Sequence, residues 1–235
     1  MTGPRIEALI FDKDGTLFDF RASWGAWTEN LLAELAKGPG EAAALAAVLG
    51  YGPGCHQFAP DSPVIAMTTP EIADLLLPLL PGFSRAGLNA RMNSLAAAAP
   101  MVAAVNLPMV LGALRASGLI LGLATNDTEI PARSHLAQAG VLDLFSFVAG
   151  CDSGFGGKPA PGQLLAFLNH TGLAPQKVAM VGDSRHDLAA GAAAGMWRVA
   201  VLTGVAEAAE LAPHADVVLQ DISHLATWID SLAAA

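Results

Sequence analysis

Asp12 and Asp14 stand one residue apart directly after an apolar run over residues 6–11, and Gly15, Thr16 and Leu17 follow them. Such a run reads as a buried strand, which puts both carboxylates at its carboxyl end. Side by side they repel one another unless a cation or a proton is shared between them. A pair of this kind can supply an aspartyl nucleophile and a second carboxyl group that carries a proton. Gly15 allows a sharp turn and close approach to a ligand, and the Thr16 hydroxyl adds a donor.

Three further motifs carry complementary chemistry. Thr125-Asn126-Asp127 follows an apolar run over 119–124, Gly157-Lys158-Pro159 lies in the loop after 145–149, and Gly182-Asp183-Ser184-Arg185-His186-Asp187 follows 178–181. Asp183 and Asp187 can join Asp12 around a hard cation such as Mg²⁺, which takes oxygen ligands and keeps waters for a substrate phosphate. Thr125, Asn126 and Lys158 offer a hydroxyl, an amide and a cation to phosphoryl oxygens. Plainer readings exist beside these: Asp187 can cap a helix beginning near Leu188, and Asn126 can be a turn former. Lys158 alone would be an ordinary surface lysine, but Gly156-Gly157 and Pro159 fix its loop.

The elements that position these motifs alternate. Strands are predicted over 6–11, 119–124, 145–149, 178–181, 199–202 and 217–219, with helices over 108–117, 129–139, 162–171 and 188–194 between them. Strand and helix in turn imply an α/β fold with a Rossmann-like, doubly wound parallel sheet, whose ligands bind outside the carboxyl ends of the strands. Between the first and second strands the pattern is helical, over 22–36, 41–49, 70–77 and 85–99, with residues 50–63 irregular. The expected organisation is a core of residues 1–19 and 107–235 with an inserted all-helical cap domain, 20–106. Trp24, Trp27 and Leu31 fall at helical spacing and read as cap core. His56, Arg21, Arg85 and Arg91 are the polar cap residues best able to meet a substrate anion.

Composition narrows the class. The chain has 235 residues, 53% of them hydrophobic and 14% charged, with net charge −9 and no basic cluster. That argues against a nucleic-acid footprint or an anionic membrane surface, so an anionic substrate such as a small phosphorylated metabolite must be captured locally. No uninterrupted apolar stretch of about 18 residues occurs. Arg5, Glu7, Asp12, Lys13 and Asp14 stand where a signal peptide needs apolar residues, so a cytoplasmic enzyme is expected. Cys55 and Cys151 have no metal-ligand spacing and read as reduced thiols.

Together the four motifs resemble those of the haloacid dehalogenase (HAD)-like hydrolases, in the helical-cap subgroup that includes phosphoglycolate phosphatase-like enzymes. The resemblance spans nearly the whole chain. It implies that Asp12 is the nucleophile, Asp14 the general acid/base, and Thr125 and Lys158 phosphate ligands, with Gly15 and Asn126 beside them. It also implies Mg²⁺ held by Asp12, the Asp14 backbone carbonyl and Asp183, with Asp187 acting through water. Lys13 departs from the pattern, because an apolar residue commonly separates the two aspartates.

The implied activity is Mg²⁺-dependent hydrolysis of a small phosphate monoester through an aspartyl-phosphate. A phosphomutase uses the same two aspartates, and a phosphate-sensing module whose cap closes on a ligand is the non-enzymatic alternative. A dehalogenase does not need Asp14. A phosphonate hydrolase wants a Schiff-base lysine, and the only cap lysine, Lys37, reads as the exposed end of the first cap helix.

Overall fold

The computed structural model describes residues 6–52, 57–59 and 61–234. Cys55 and His56 lie outside them. Strand β1 (Ala8–Phe11) leads into the insertion, which holds α1 (Phe20–Leu35), α2 (Pro39–Val48), a ribbon of β2 (Tyr51–Gly52) and β3 (Gln57–Phe58), then α3 (Pro63–Ala66), α4 (Thr69–Leu76) and α5 (Arg85–Ala97). The chain returns through α6 (Leu107–Ala116), β4 (Ile120–Ala124), α7 (Glu129–Gln138), β5 (Phe147–Ala149), α8 (Gly162–Thr171) and β6 (Val178–Gly182). It ends with α9 (Arg185–Ala194), β7 (Trp197–Val201), α10 (Ala208–Leu211), β8 (Val217–Leu219) and α11 (Leu225–Ala234).

All six long-range strands pair in parallel in the order β5-β4-β1-β6-β7-β8, with Phe11 in register with Leu123 on one side and Val181 on the other. The winding direction reverses at β1, so the crevice for a ligand opens where Asp12 leaves the sheet. Period-two alternation supplies both faces. Leu9, Phe11, Leu121, Leu123 and Val181 pack with α6 and α7, while Ala8, Ile10, Ala124 and Met180 pack with α8 and α9 on the other side. This arrangement favours apolar residues at most strand positions, which is why the central strands read as continuous runs; Arg198 in β7, paired with Asp216, is a departure.

The insertion buries its own cluster, built from Trp24, Trp27 and Leu31 of α1, Ile72 and Leu76 of α4, and Leu88 and Met92 of α5. Asp19 caps α1 by accepting from the Ala22 amide at 2.8 Å, and Thr68 with Glu71 forms a capping box on α4. The two-residue ribbon β2–β3 is a departure from an all-helical insertion. It falls in the stretch read as irregular, and a ladder so short leaves no periodic signal. The two connections to the sheet pair with each other: Asp19 donates to the Val102 carbonyl at 2.8 Å and Ala104 to that of Leu17 at 2.9 Å. Helix α5 is also tied to α7, where Thr128 Oγ1 donates to Asn93 Oδ1 and Ser134 Oγ to the Ala97 carbonyl, both at 2.9 Å. Among the described residues no helix is long and apolar enough to cross a membrane.

Candidate active site

Asp12 extends β1 by donating its amide to the Val181 carbonyl at 2.8 Å, and its carboxylate then meets the Lys158 ammonium at 2.5 Å. Lys158 also pairs with Asp187 at 2.6 Å. Asp12, Asp183 and Asp187 each present an oxygen within 4.8 Å of the others, and all three are buried. Burial raises the Asp12 carboxyl to about 7; Lys158 opposes this, while Asp187 and Asp14 reinforce it. Asp183 is raised well above the carboxylate range by burial, then by Asp187 and Asp12. For Lys158 burial favours the neutral amine, but Asp12 and Asp187 outweigh it and hold the ammonium charged.

Three buried acids against one buried cation are short of positive charge. Their oxygens, grouped this closely, suit a hard divalent ion. The surroundings keep this trio compact. Gly15 takes φ 81°, and a Cβ there would lie 2.3 Å from Asp183 Oδ2; at Gly204 the separation would be 1.7 Å. Neither position has room for a side chain. Asp187 also caps α9, accepting from the Ser184 amide at 3.0 Å and hydroxyl at 2.7 Å, so its two oxygens divide between helix and site. The capping read for Asp187 is made from the third helical position, with Ser184 as the N-cap, while its other oxygen faces Lys158.

Thr125 is buried at the end of β4 and lines the same cavity as Asp12 and Lys158; its carbonyl accepts from Gln163 Nε2 at 2.9 Å and its hydroxyl from the Asp127 amide at 3.1 Å. Asn126 also lines the cavity, but its amide is engaged with backbone. It donates to the carbonyls of Ala66 and Lys158 at 2.9 Å and accepts from the Lys158 amide at 2.8 Å. The geometry makes it a clamp on the lysine loop and on α3. The Gly15 amide donates to the Phe18 carbonyl at 2.7 Å, within the turn that follows β1.

Lys13 is the largest surprise. Its side chain is fully buried, with Nζ 2.7 Å from Asp14 Oδ1, 3.2 Å from Asp127 Oδ2 and 3.2 Å from His135 Nδ1, and 5.0 Å from the Trp24 ring centroid. Burial disfavours its charge, but Asp14 and Asp127 overcome this and raise its pKa. His135 is driven down to about 4, first by burial and then by Lys13, with Asp14 opposing. Its Nε2 lies 2.7 Å from the Ala96 carbonyl of α5. A carbonyl only accepts, so Nε2 carries the proton and Nδ1 faces the lysine as an acceptor. Nothing in the sequence marked His135, 122 residues from Lys13; the charge inside the Asp12–Asp14 motif was the only available signal.

The His135 shift has a consequence for stability. Above its ordinary 6.5 both states are neutral; as pH falls from there toward about 4, the unfolded chain takes a proton that the folded one refuses. Stability is therefore lost on acidification through that window, by about 2 kcal/mol at pH 5 relative to pH 7.5. Asp12 shifts the opposite way, so the readout is a comparison: urea unfolding of His135→Gln should show that much less loss than the native chain between the two pH values.

The cavity over Asp12 and Asp14 has a volume of about 70 Å³, walled on the insertion side by Phe20, Trp24, Trp27, Ile72 and Met92. It adjoins a wider opening of about 530 Å³ that passes Arg185, His186 and Glu210. Trp24 and Trp27 are thus both core and wall, and their indole N–H groups are buried without a partner. Arg85 pairs with Asp74, Arg91 pairs with Glu34, and neither these nor Arg21 line either cavity. His186, within the last motif, lines both. Cys151 is a free thiol, and burial raises it to about 12.

Residues 6–195 match the family model of haloacid dehalogenase-like hydrolases. The chain is 32% identical over 232 residues to the phosphoglycolate phosphatase of Rhodospirillum rubrum, an alignment covering 95% of this chain and 90% of that protein. Among solved structures, a predicted phosphoglycolate phosphatase from Haemophilus somnus superposes with TM-score 0.70 at 20% identity, over 95% of this chain and 97% of that one. A β-phosphoglucomutase from Clostridium difficile superposes with TM-score 0.65 at 19% identity, over 97% of each chain. At those identities the two structures show the fold alone. With the family model covering most of the chain and the curated relative nearly all of it, the protein belongs to the haloacid dehalogenase-like hydrolases and is a phosphoglycolate phosphatase-like phosphatase within them.

Proposed function

We propose that the chain hydrolyses a small phosphate monoester with Mg²⁺ as cofactor, through a phosphoryl group carried on Asp12. The observation that carries this reading is the Lys158 ammonium, bridging Asp12 at 2.5 Å and Asp187 at 2.6 Å within the trio of buried acids. It supports reading the crevice as one that combines a nucleophile, a cation for phosphoryl oxygens and a divalent-ion site. We further propose that residues 1–19 and 107–235 act as the catalytic core and 20–106 as a cap.

Asp12 attacks phosphorus, the bond from phosphorus to the leaving oxygen breaks, and Asp14 gives that oxygen a proton. Asp14 then takes a proton from water as the water attacks the phosphoryl group on Asp12, which releases inorganic phosphate and restores both carboxyl groups. Lys158 and the Thr125 hydroxyl hold the phosphoryl oxygens as charge builds on them. Asp12, Asp183 and Asp187, with the Asp14 carbonyl, would hold Mg²⁺, which would supply charge neutralisation between the nucleophile and the dianion. The cap excludes bulk water, and its apolar wall with two unpartnered indole donors receives the leaving group.

Phosphate release across a panel of small monoesters, phosphoglycolate included, tests the reading. Activity should require Mg²⁺ and vanish with a chelator; turnover that resists chelation contradicts the cofactor assignment. Asp183→Asn should raise the Mg²⁺ concentration needed for half-maximal activity by about tenfold or more. The same change removes a repelled buried carboxylate, so the metal-free melting temperature should hold or rise, which differential scanning calorimetry checks.

A further inference from the structure

Lys13 stands between the sheet and the insertion. Its ammonium hydrogen-bonds Asp14 Oδ1 and His135 Nδ1 and pairs ionically with Asp127 Oδ2 at 3.2 Å, while the face of Trp24 covers it at 5.0 Å. Two of these contacts depend on the insertion. Trp24 belongs to α1, and the Ala96 carbonyl that fixes the His135 ring belongs to α5. Asp14 and Asp127 are contributed by the sheet domain's loops. The Asp14 side chain lines the cavity, and one of its oxygens is taken by Lys13, so only the other is free to face a leaving group.

We propose that Lys13 is the positioning residue for Asp14, and that the seated insertion, acting through Trp24 and through Ala96 and His135, sets Lys13 in turn. Asp14 is then aimed for proton transfer only when the cap is in place. A lysine at this position fits because its long stem reaches a buried point where the neighbouring Asp14 meets Trp24, Asp127 and His135 from three other elements; an apolar residue could not link them. The inference rests on Asp14 being the proton carrier, and the experiment separates the two.

The test compares kcat/KM for p-nitrophenyl phosphate, whose leaving group needs little protonation, with that for phenyl phosphate, whose leaving group needs more. Asp14→Asn should lower the second at least about tenfold more than the first. If it lowers both equally, Asp14 is not the acid and the reading of the site fails, whatever Lys13 does. With that difference established, Lys13→Met should reproduce it, and equal losses on both esters would overturn the role of Lys13. Lys13→Met leaves Asp127 buried without its cation, so the double variant Lys13→Met/Asp127→Asn is measured alongside it. His135→Leu touches neither cavity and should steepen the same ratio by a smaller factor with KM unchanged. A native ratio in His135→Leu would overturn the link to the cap.

Discussion

Asp12→Asn should abolish turnover, by about 10⁴-fold or more, and leave the protein folded and more stable without metal. The amide cannot attack phosphorus, yet it is nearly the same size and can still accept from Lys158. Burial has already pushed the native carboxyl to about 7, with Asp187 and Asp14 adding to the cost of ionising it. Removing that charge relieves a repulsion while Lys158 keeps Asp187 as its partner at 2.6 Å. Steady-state phosphate release and thermal unfolding in chelator measure the two halves. Residual turnover within about tenfold of native would remove Asp12 from its role.

Lys158→Met has the opposite signature, losing both activity and stability. It takes the one cation out of a buried group of three acids, and removing one partner of a buried ion pair costs about 3–5 kcal/mol. Turnover should fall by about 10³-fold, because the ammonium is also the proposed support for the transferred phosphoryl oxygens. Mg²⁺ can replace the missing positive charge but not its position. Added Mg²⁺ should therefore recover much of the melting temperature and little of the activity. If Mg²⁺ restored both, Lys158 would be serving only to balance charge.

The central sheet was legible because its strands are buried on both faces: β6 begins where the apolar run over 178–181 predicts, and β4 begins one residue inside the run over 119–124. Helix α9 begins three residues before the position read for it, because Ser184 and Asp187 form a capping box that brings Arg185 into the helix. The four motifs lie at strand ends, and the topology alone brings them to one crevice. The Lys13 environment was not legible. Asp127, His135 and Trp24 come from separate elements, and only the folded chain shows that they converge on one ammonium. Asn126 shows the limit of reading roles from residue type, since its amide serves the Lys158 backbone. Arg85 and Arg91 have the charge an anionic substrate would need, but they spend it on Asp74 and Glu34, away from the cavity.

Trapping the phosphoryl group tests the central claim most directly. Asp14→Asn is mixed with p-nitrophenyl phosphate and Mg²⁺, quenched in acid within the first turnover, digested and examined by mass spectrometry. Attack by Asp12 needs little help from an acid with this ester, whereas hydrolysis of the product lacks its base, so the phosphorylated form accumulates. The expected result is a burst of about one nitrophenol per site together with one phosphoryl group on the peptide that contains Asp12. Release of phosphate with no burst and an unmodified Asp12 peptide would contradict the account.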